Sequence, residues 1–383
     1  MSLWIECAHR APTAGTKGAG DSVVTHRTER SCLAVIASRP SDGMPGPAMH
    51  PSGRSVVEAT AELAARVHRE TGDARRAVET ALGELEPGCT VPLSLLHIAD
   101  GTQAELIEVD APPLFVTRAG ELLLLPVLEE EWRSHLVRHC RFALQDGDYM
   151  AMVSDRYIRT HGWDRRWGWR DVAASVRRLT ATRCDASQLL GALVGIYQRL
   201  AGSEGAGDVT VVALAVRPVR SVTVWSGPPT QRELDREALA KLMAEPGTRV
   251  ICGDTTAEIA ARLLGVELVM DDRPTGGWTE VPPTSSLAGV DLVTEGVVTM
   301  GVAHRRLEEA RHLSDLYQSD GATRLARVLL MADKVKFLVG LAVNPAQVAD
   351  ADGKTPLRLA AVQSLAEVIR SRGKIVQVEY LTA

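Results

Sequence analysis

The order in which helical and strand-like apolar segments follow one another changes near residue 222. Before this point, short β-type runs are grouped around pairs of helical segments, the pattern of an α+β sandwich in which helices cover packed sheets. After it, helical and strand segments alternate, which favours a three-layer α/β arrangement. The 383 residues also exceed the size at which one hydrophobic core usually keeps growing. We therefore predict a β-sandwich flanked by helices at 1–217 and a smaller α/β domain at 222–383.

Within the first region, the runs LWIECA and CLAVIAS predict a hairpin-like opening. Helical spacing of apolar residues predicts one pair of helices over 56–69 and 74–85, and a second pair over 169–179 and 186–200. Between the two pairs lie β-type runs with antiparallel spacing: SLLHIA, AELIEV, LFVTR, ELLLLPV and DYMAMVS. A final strand, GDVTVVALAV, closes the region.

The second region begins after SGPPTQ at 226–231, which has the composition of a linker. Beyond it we predict, in chain order, a helix at 233–244, the strand RVICG, the helix TTAEIAARLL, the strands VELVM and DLVTEGVV, helices at 302–318 and 322–331, the strand VKFLVGLAV, a helix at 357–370 and the strand KIVQVEY.

Charge and cysteine usage exclude several classes of protein. The net charge of -5 is mild and no block of five like charges occurs, so we expect no nucleic-acid partner. The six cysteines form no Cys-x-x-Cys pair and are expected to be free thiols in a reducing compartment. No signal sequence and no apolar run of about 18 residues is present, so we expect a cytoplasmic protein without a membrane partner.

Four aspartates in the first region stand where strands end and turns begin: Asp21, Asp42, Asp155 and Asp208. A single aspartate at a strand end is most often a turn or cap residue. Hard divalent cations, however, take carboxylate oxygens, and carboxylates from separate strands can converge on a pair of ions. Two such ions lower the pKa of a water and orient it for attack on phosphorus, so no nucleophilic side chain is required.

Short motifs around these aspartates occur in order over about 210 residues: Gly20-Asp21, Asp42-Gly43, Pro112-Pro113, Gly147-Asp148 leading into Ser154-Asp155, and Gly207-Asp208-Val209-Thr210. The series resembles the metal-dependent protein serine/threonine phosphatases of the SpoIIE type, within the PPM family. That resemblance implies two Mn²⁺ or Mg²⁺ ions held by Asp21, Asp42, the carbonyl of Gly43 and Asp155. It also implies hydrolysis of phosphoserine or phosphothreonine on a phosphorylated regulatory protein by metal-activated water.

The chain departs from the family pattern at three places. Gly207 stands where the family has its usual last ligand. Either Asp208, one position away on the other strand face, reaches the metal ions through a local shift, or this ligand is missing. Arg156 replaces a glycine, and it could pair with Asp155, bind the substrate phosphate or face solvent. The loop Met44–Pro47 contains two prolines, and the nearby His50 is either a general acid or an exposed loop residue.

These departures leave two further hypotheses beside the phosphoprotein phosphatase. One is a catalytically weak or inactive phosphatase domain that binds a phosphoprotein or partner as a signalling module. The other is a phosphatase that acts on a small phosphorylated metabolite.

The region 222–383 resembles the tail that accompanies one subgroup of these bacterial phosphatases, a resemblance without an implied activity. Cys252-Gly253-Asp254-Thr255-Thr256 follows a strand and opens a helix, so its N–H groups could receive a phosphate or carboxylate; alternatively, Asp254 or Thr255 only caps the helix. The run 291–296 ends a strand at the expected carboxyl edge of the sheet. A small ligand of this domain is therefore conceivable, although no G-x-G-x-x-G or Walker-type loop occurs.

Overall fold

A computed structural model describes residues 3–11, 20–28, 31–39, 55–86, 89–133, 135–159, 167–205, 209–271, 280–342 and 357–382. The chain divides into two compact units, Met1–Pro218 and Val219–Ala383. Each unit has hydrophobic cores of its own.

The first unit contains two antiparallel sheets. One has five strands in the order β1 (Leu3–Arg10), β11 (Val211–Pro218), β10 (Tyr149–Val153), β6 (Phe115–Arg118) and β7 (Glu121–Leu122). The other has six strands in the order β2 (Ser22–Arg27), β3 (Ser31–Ala37), β4 (Leu93–Ala99), β5 (Gln103–Val109), β9 (His135–Ala143) and β8 (Leu128–Trp132). The strands of each sheet place alternate side chains on opposite faces, and the two inner faces form one core with Ile36, Leu96, Met150 and Leu214 at its centre.

Helices cover the outer faces of both sheets. The helices α1 (Val56–Thr71) and α2 (Ala74–Gly83) pack on the six-stranded sheet, and α4 (Trp169–Leu179) and α5 (Ala186–Gly205) pack on the five-stranded sheet. A short helix, α3 (Asp155–Ile158), follows β10. Ser55 caps α1 by accepting a hydrogen bond from the Glu58 N–H, and Gly72 ends α1 in the left-handed region. The β-sandwich flanked by helices is therefore the fold of this unit.

Two sequence-based predictions for this unit are wrong, and one pair of strands was not predicted. The opening hairpin joins β2 to β3, whereas the run LWIECA, now β1, pairs with β11 in the other sheet. Only Glu121–Leu122 of ELLLLPV forms a strand. The pair β8 and β9 was missed, because β8 carries three consecutive glutamates and β9 interleaves charged residues with apolar ones.

The second unit is a three-layer α/β domain with a seven-stranded sheet. Its strand order is β14 (Leu268–Met270), β15 (Ser285–Leu287), β16 (Val290–Thr294), β13 (Thr248–Cys252), β12 (Ser221–Ser226), β17 (Lys334–Gly340) and β18 (Ile375–Leu381). The last five are mutually parallel. One face is covered by α6 (Asp235–Ala244) and α7 (Asp254–Leu264), and the other by α8 (Val297–Glu309), α9 (Gly321–Met331) and α10 (Leu357–Ser371).

Several boundaries in this unit differ from the predicted ones, and the helix predicted at 302–318 begins at Val297 and ends at Glu309 as α8. SGPPTQ is not a linker between units, because Ser226 ends β12 and the units divide at Pro218. The predicted strand DLVTEGVV ends at Thr294, and Val297 begins α8. No helix in the described part of the chain combines the length and the apolar character needed to cross a bilayer.

Candidate functional site

The β2–β3 hairpin positions Asp21. Ser22, the first residue of β2, pairs with Ala37 at the end of β3, which brings the start of one strand beside the segment leaving the other. The backbone N–H of Arg39 donates to Asp21 Oδ1 at 3.3 Å. The carboxylate of Asp21 is therefore held by main chain that follows β3.

The β10–β11 ladder positions Ser154 and Thr210. The ladder ends at the pair Val153 and Val211, and the two segments then continue in register for one more residue. The Ser154 N–H donates to the Thr210 carbonyl at 3.0 Å, and the Thr210 N–H donates to Ser154 Oγ at 3.4 Å. Both residues are buried, so their hydroxyls are fixed by the sheet.

The carboxylate of Asp21 meets these two hydroxyls. Burial raises its pKa, and the Ser154 hydroxyl, the Arg39 N–H, the Arg156 guanidinium and the Thr210 hydroxyl act in the opposite direction. Asp21 Oδ2 and Thr210 Oγ1 are nevertheless buried without a hydrogen-bond partner of acceptable geometry among the described residues. A buried carboxylate oxygen in that condition is costly unless a cation or a donor reaches it.

Asp155 follows Ser154 directly and begins α3. Its carboxylate is bound by Arg159, with Nε 2.9 Å from Oδ2 and 3.1 Å from Oδ1. Only 15% of the Asp155 side chain is exposed, compared with 51% of the Arg159 side chain. Besides Arg156, which the sequence suggests as a partner of Asp155, the structure places Arg159 against the same carboxylate. The i,i+4 spacing of Asp155 and Arg159 was the signal that could have revealed the pair.

Arg156 is exposed, and its charge lowers the pKa of Asp21. The predicted Asp21 and Asp155 are thus brought to the same end of the sandwich, with Arg156 and Arg159 beside them. Asp42, Gly43, His50, Gly207 and Asp208 lie outside the described residues.

The oxygen donors at this place suit a hard cation. Asp21 supplies an oxygen without a partner, and Asp155 supplies a second carboxylate one residue from the Ser154 hydroxyl. Within the described ranges, no group of three or more His, Cys, Asp or Glu residues could hold a metal ion. An ion pair at this site would therefore need Asp42, Gly43 or Asp208 in addition.

Asp148, in the Gly147-Asp148 motif, has a different role from the strand-end aspartates. It is fully buried and accepts two hydrogen bonds from Arg118, both at 2.8 Å, and one from the Gln145 N–H at 2.8 Å. The carboxylate raises the pKa of Arg118. This bidentate pair ties the start of β10 to β6 and leaves Asp148 no free oxygen for a ligand.

One cavity of the first unit lies apart from Asp21 and Asp155. It has a volume of about 460 Å³ and is lined by residues of α2, β5, β8 and β9, including Arg75, Glu105 and Trp132. Neither Asp21 nor Asp155 lines it.

In the second unit, the two predicted carboxyl-edge segments are neighbours. Gly253 follows β13, and its N–H donates to the carbonyl of Thr294 at the end of β16, at 2.9 Å. Neither predicted cap is present, since Gly253 occupies the N-cap of α7 without a side-chain bond. Burial, and secondarily Glu258, raises the pKa of Asp254, and Glu295 accepts from the Thr299 N–H of α8. A carboxylate therefore lies near the N-terminus of each helix, Asp254 at α7 and Glu295 at α8. These negative charges disfavour the binding of an anion between the two helices.

No known protein-family model matches the chain, and no curated protein matches it. Several solved structures are similar. The phosphatase domain of SpoIIE from Bacillus subtilis is 18% identical, with a TM-score of 0.39, over 56% of this chain and 92% of that one. The SiaA-PP2C domain of Pseudomonas aeruginosa is 13% identical, with a TM-score of 0.41, over 57% and 85%. The serine/threonine phosphatase PstP/Ppp of Mycobacterium tuberculosis is 16% identical, with a TM-score of 0.36, over 57% and 100%. At these values, activity does not transfer from one chain to another.

Proposed function

We propose that the chain is a cytoplasmic, metal-dependent phosphoprotein phosphatase that removes phosphate from phosphoserine or phosphothreonine of a regulatory protein. The observation that carries the proposal is the buried Asp21 carboxylate, whose Oδ2 has no partner among the described residues. It stands at one end of the sandwich with Asp155, in the order of strand-end aspartates that the SpoIIE-type resemblance requires.

The residues have distinct roles in this proposal. Asp21 and Asp155 would hold Mn²⁺ or Mg²⁺ together with Asp42, the Gly43 carbonyl and Asp208. Such ions, when bound, supply an activated water and neutralise charge on the phosphoryl group. Ser154 and Thr210, whose positions are set by the β10–β11 ladder, place their hydroxyls near the Asp21 carboxylate and favour its charged form. Arg156 is exposed beside Asp21, where a guanidinium can bind a substrate phosphate through two N–H groups.

A second candidate, a phosphoprotein-binding domain without turnover, is favoured by the Asp155–Arg159 ion pair. Arg159 occupies both oxygens of a carboxylate that a metal ion would need. If that pair persists, the site keeps one well-placed carboxylate in the described part of the chain, and an ion would be held weakly.

Phosphate release distinguishes the two candidates. The assay uses a phosphoserine peptide and p-nitrophenyl phosphate over a range of Mn²⁺ and Mg²⁺ concentrations, with calorimetry of Mn²⁺ binding as a second readout. If the chain is an enzyme, phosphate release depends on the metal ion, and Asp21→Asn abolishes it. The matched control is Asp146→Asn, which changes an exposed partner of Arg183 and should leave phosphate release intact. No release at any metal concentration would exclude the enzyme, and no Mn²⁺ binding would exclude the metal site.

A further inference from the structure

The parallel sheet of the second unit has a topological switch point between β12 and β17. These strands are direct neighbours, with Ser226 opposite Val339 at their carboxyl ends. The chain leaves β12 for α6 on one face of the sheet and leaves β17 for α10 on the other. Connections that diverge in this way open a crevice at the carboxyl edge, and open α/β sheets bind ligands there.

Arg358, in the first turn of α10, occupies this crevice. The residue is only 9% exposed. Its Nη1 donates to the Gly340 carbonyl at 3.2 Å and its Nη2 to the Ala342 carbonyl at 2.8 Å, both at the end of β17. The guanidinium also lies against Gly227 at the end of β12, where a Cβ atom would stand 1.4 Å from Nη1. Both strands that border the crevice therefore contact one guanidinium.

The charge of Arg358 is not balanced within the described residues. It forms no ion pair there, and burial lowers its pKa with no carboxylate acting in the other direction. Its place in the first turn of α10 adds an unfavourable interaction with the helix dipole. A buried cation that has only carbonyl partners is costly compared with one that has a counter-charge.

Arg372 shows how a similar arginine is accommodated elsewhere in the unit. Its guanidinium also donates to two backbone carbonyls, those of Leu307 and Ala310. These carbonyls belong to the last turn and C-cap of α8, where the dipole favours a cation. Arg372 is thus a helix cap, whereas the helix dipole opposes Arg358.

We infer that the crevice between β12 and β17 is an oxyanion-binding site, with Arg358 as its central cation, for a small molecule that carries a phosphate or a carboxylate. A guanidinium has five N–H donors in a planar fork, and the two carbonyls use two of them. The others can bind an oxyanion, which supplies the missing charge. Gly227 leaves space for the guanidinium of Arg358, because this glycine has no Cβ atom and adopts a φ of 79°.

The competing explanation is that Arg358 only fastens the strand ends. In that case, replacing Arg358 would lower the stability of the unit, but the contribution of Arg358 would not depend on any anion. The anion dependence of α10 therefore separates the two explanations.

The experiment measures amide hydrogen exchange of the full chain, in peptides from 357–371, during titration with inorganic phosphate and, separately, acetate at constant ionic strength. A bound ligand slows exchange through global or subglobal opening by 1 + [L]/Kd, so ten times Kd gives about tenfold protection. Protection by phosphate alone identifies a phosphate-bearing ligand, and protection by acetate as well identifies the wider oxyanion class. Protection by neither anion overturns the inference.

Two variants locate the effect. Arg358→Met is expected to abolish the protection, and Arg372→Met, which also removes a carbonyl-bound arginine, is expected to retain it. Equal protection in Arg358→Met and wild type overturns the site. Where Arg358→Met does not fold, Arg358→Lys replaces it. A higher phosphate concentration at the midpoint of protection supports oxyanion binding by the guanidinium of Arg358, and an unchanged midpoint overturns it. Because phosphate is also a product of the proposed phosphatase, the titration is repeated in Asp21→Asn, where the protection of α10 is expected to persist.

Discussion

Arg159 binds the carboxylate of Asp155 from one helical turn away, with Nε 2.9 Å from Oδ2. This ion pair occupies a residue that the proposed metal site requires. Because Arg159 is half exposed, the pair is screened by solvent and is worth at most about 1 kcal/mol. A divalent ion can therefore displace Arg159 at a modest cost in affinity.

Replacing Arg159 with alanine should strengthen metal binding. The variant removes one competing cation from Asp155, so Mn²⁺ affinity is expected to rise by roughly twofold to fivefold, within the tenfold that corresponds to about 1.4 kcal/mol. Calorimetric titration with Mn²⁺ measures the change. The control is Arg183→Ala, which breaks the exposed pair with Asp146 and should leave affinity unchanged. Weaker Mn²⁺ binding by Arg159→Ala would contradict a ligand role for Asp155.

Asp148 is expected to contribute to stability rather than to metal binding. Asp148→Ala leaves Arg118 without its buried bidentate partner, and the loss of one partner of such a pair costs about 3 to 5 kcal/mol. Urea denaturation followed by circular dichroism measures this loss. Asp146→Ala, two residues earlier on the surface, should change the free energy of unfolding by less than about 0.5 kcal/mol. Similar effects of the two variants would contradict this assignment.

Stability should fall in mild acid because of His68. Burial, and secondarily the charge of the neighbouring His97, lower the pKa of this residue to about 4, while the charges of Glu105 and Asp73 act in the opposite direction. The unfolded chain therefore binds the proton first, near its ordinary pKa of about 6.5. The stabilising contribution is complete above about pH 6.5 and is lost as the pH falls to about 4.

The expected loss is about 1 to 2 kcal/mol, after allowance for the partial solvation of the ring. Urea midpoints measured between pH 4 and pH 7.5 check it. His68→Phe should flatten this part of the pH profile, whereas the exposed His312→Phe should leave its slope as in the wild type. An unchanged slope in His68→Phe would assign the pH dependence to other groups.

Gly227→Ala tests the close approach of Arg358. The new Cβ would stand 1.4 Å from Nη1, so both the strained backbone at a φ of 79° and the displaced guanidinium destabilise the variant. Gly265→Ala is the matched control, because its φ is 67° and nothing lies within 4 Å of the new atom. The control should cost about 1 kcal/mol, and Gly227→Ala at least about 2 kcal/mol more. Equal losses in thermal unfolding would show that the backbone strain alone matters.

Local sequence patterns predicted most elements of the second unit. TTAEIAARLL has the helical period and became α7, and VKFLVGLAV is a buried apolar run that contains β17. The alternation of these elements also predicted a parallel sheet with helices on both faces. The order of the strands did not follow from the pattern, because every parallel neighbour of β12 is reached through a long crossover.

Less of the candidate site around Asp21 and Asp155 could be predicted from the sequence. The strand-end positions of Asp21 and Asp155 could be recognised from turn residues and apolar runs, since those features are local. Their surroundings could not, because Thr210 and Ser154 reach Asp21 from strands of the other sheet. Arg159 was missed because a four-residue helix is too short to show a period.

The sequence by itself determined most of the long helices and the buried strands, because the periods of 3.6 and 2 residues depend only on neighbouring positions. The charged strand β8 and the four-residue helix α3 show no such period. Only the tertiary structure decided that β1 pairs with β11 rather than with the strand that follows it, since pairing depends on which apolar faces are buried together. The same holds for Arg358. Its sequence neighbours predict an ordinary helical residue, and only the packing of α10 against two strand ends places its charge in a crevice.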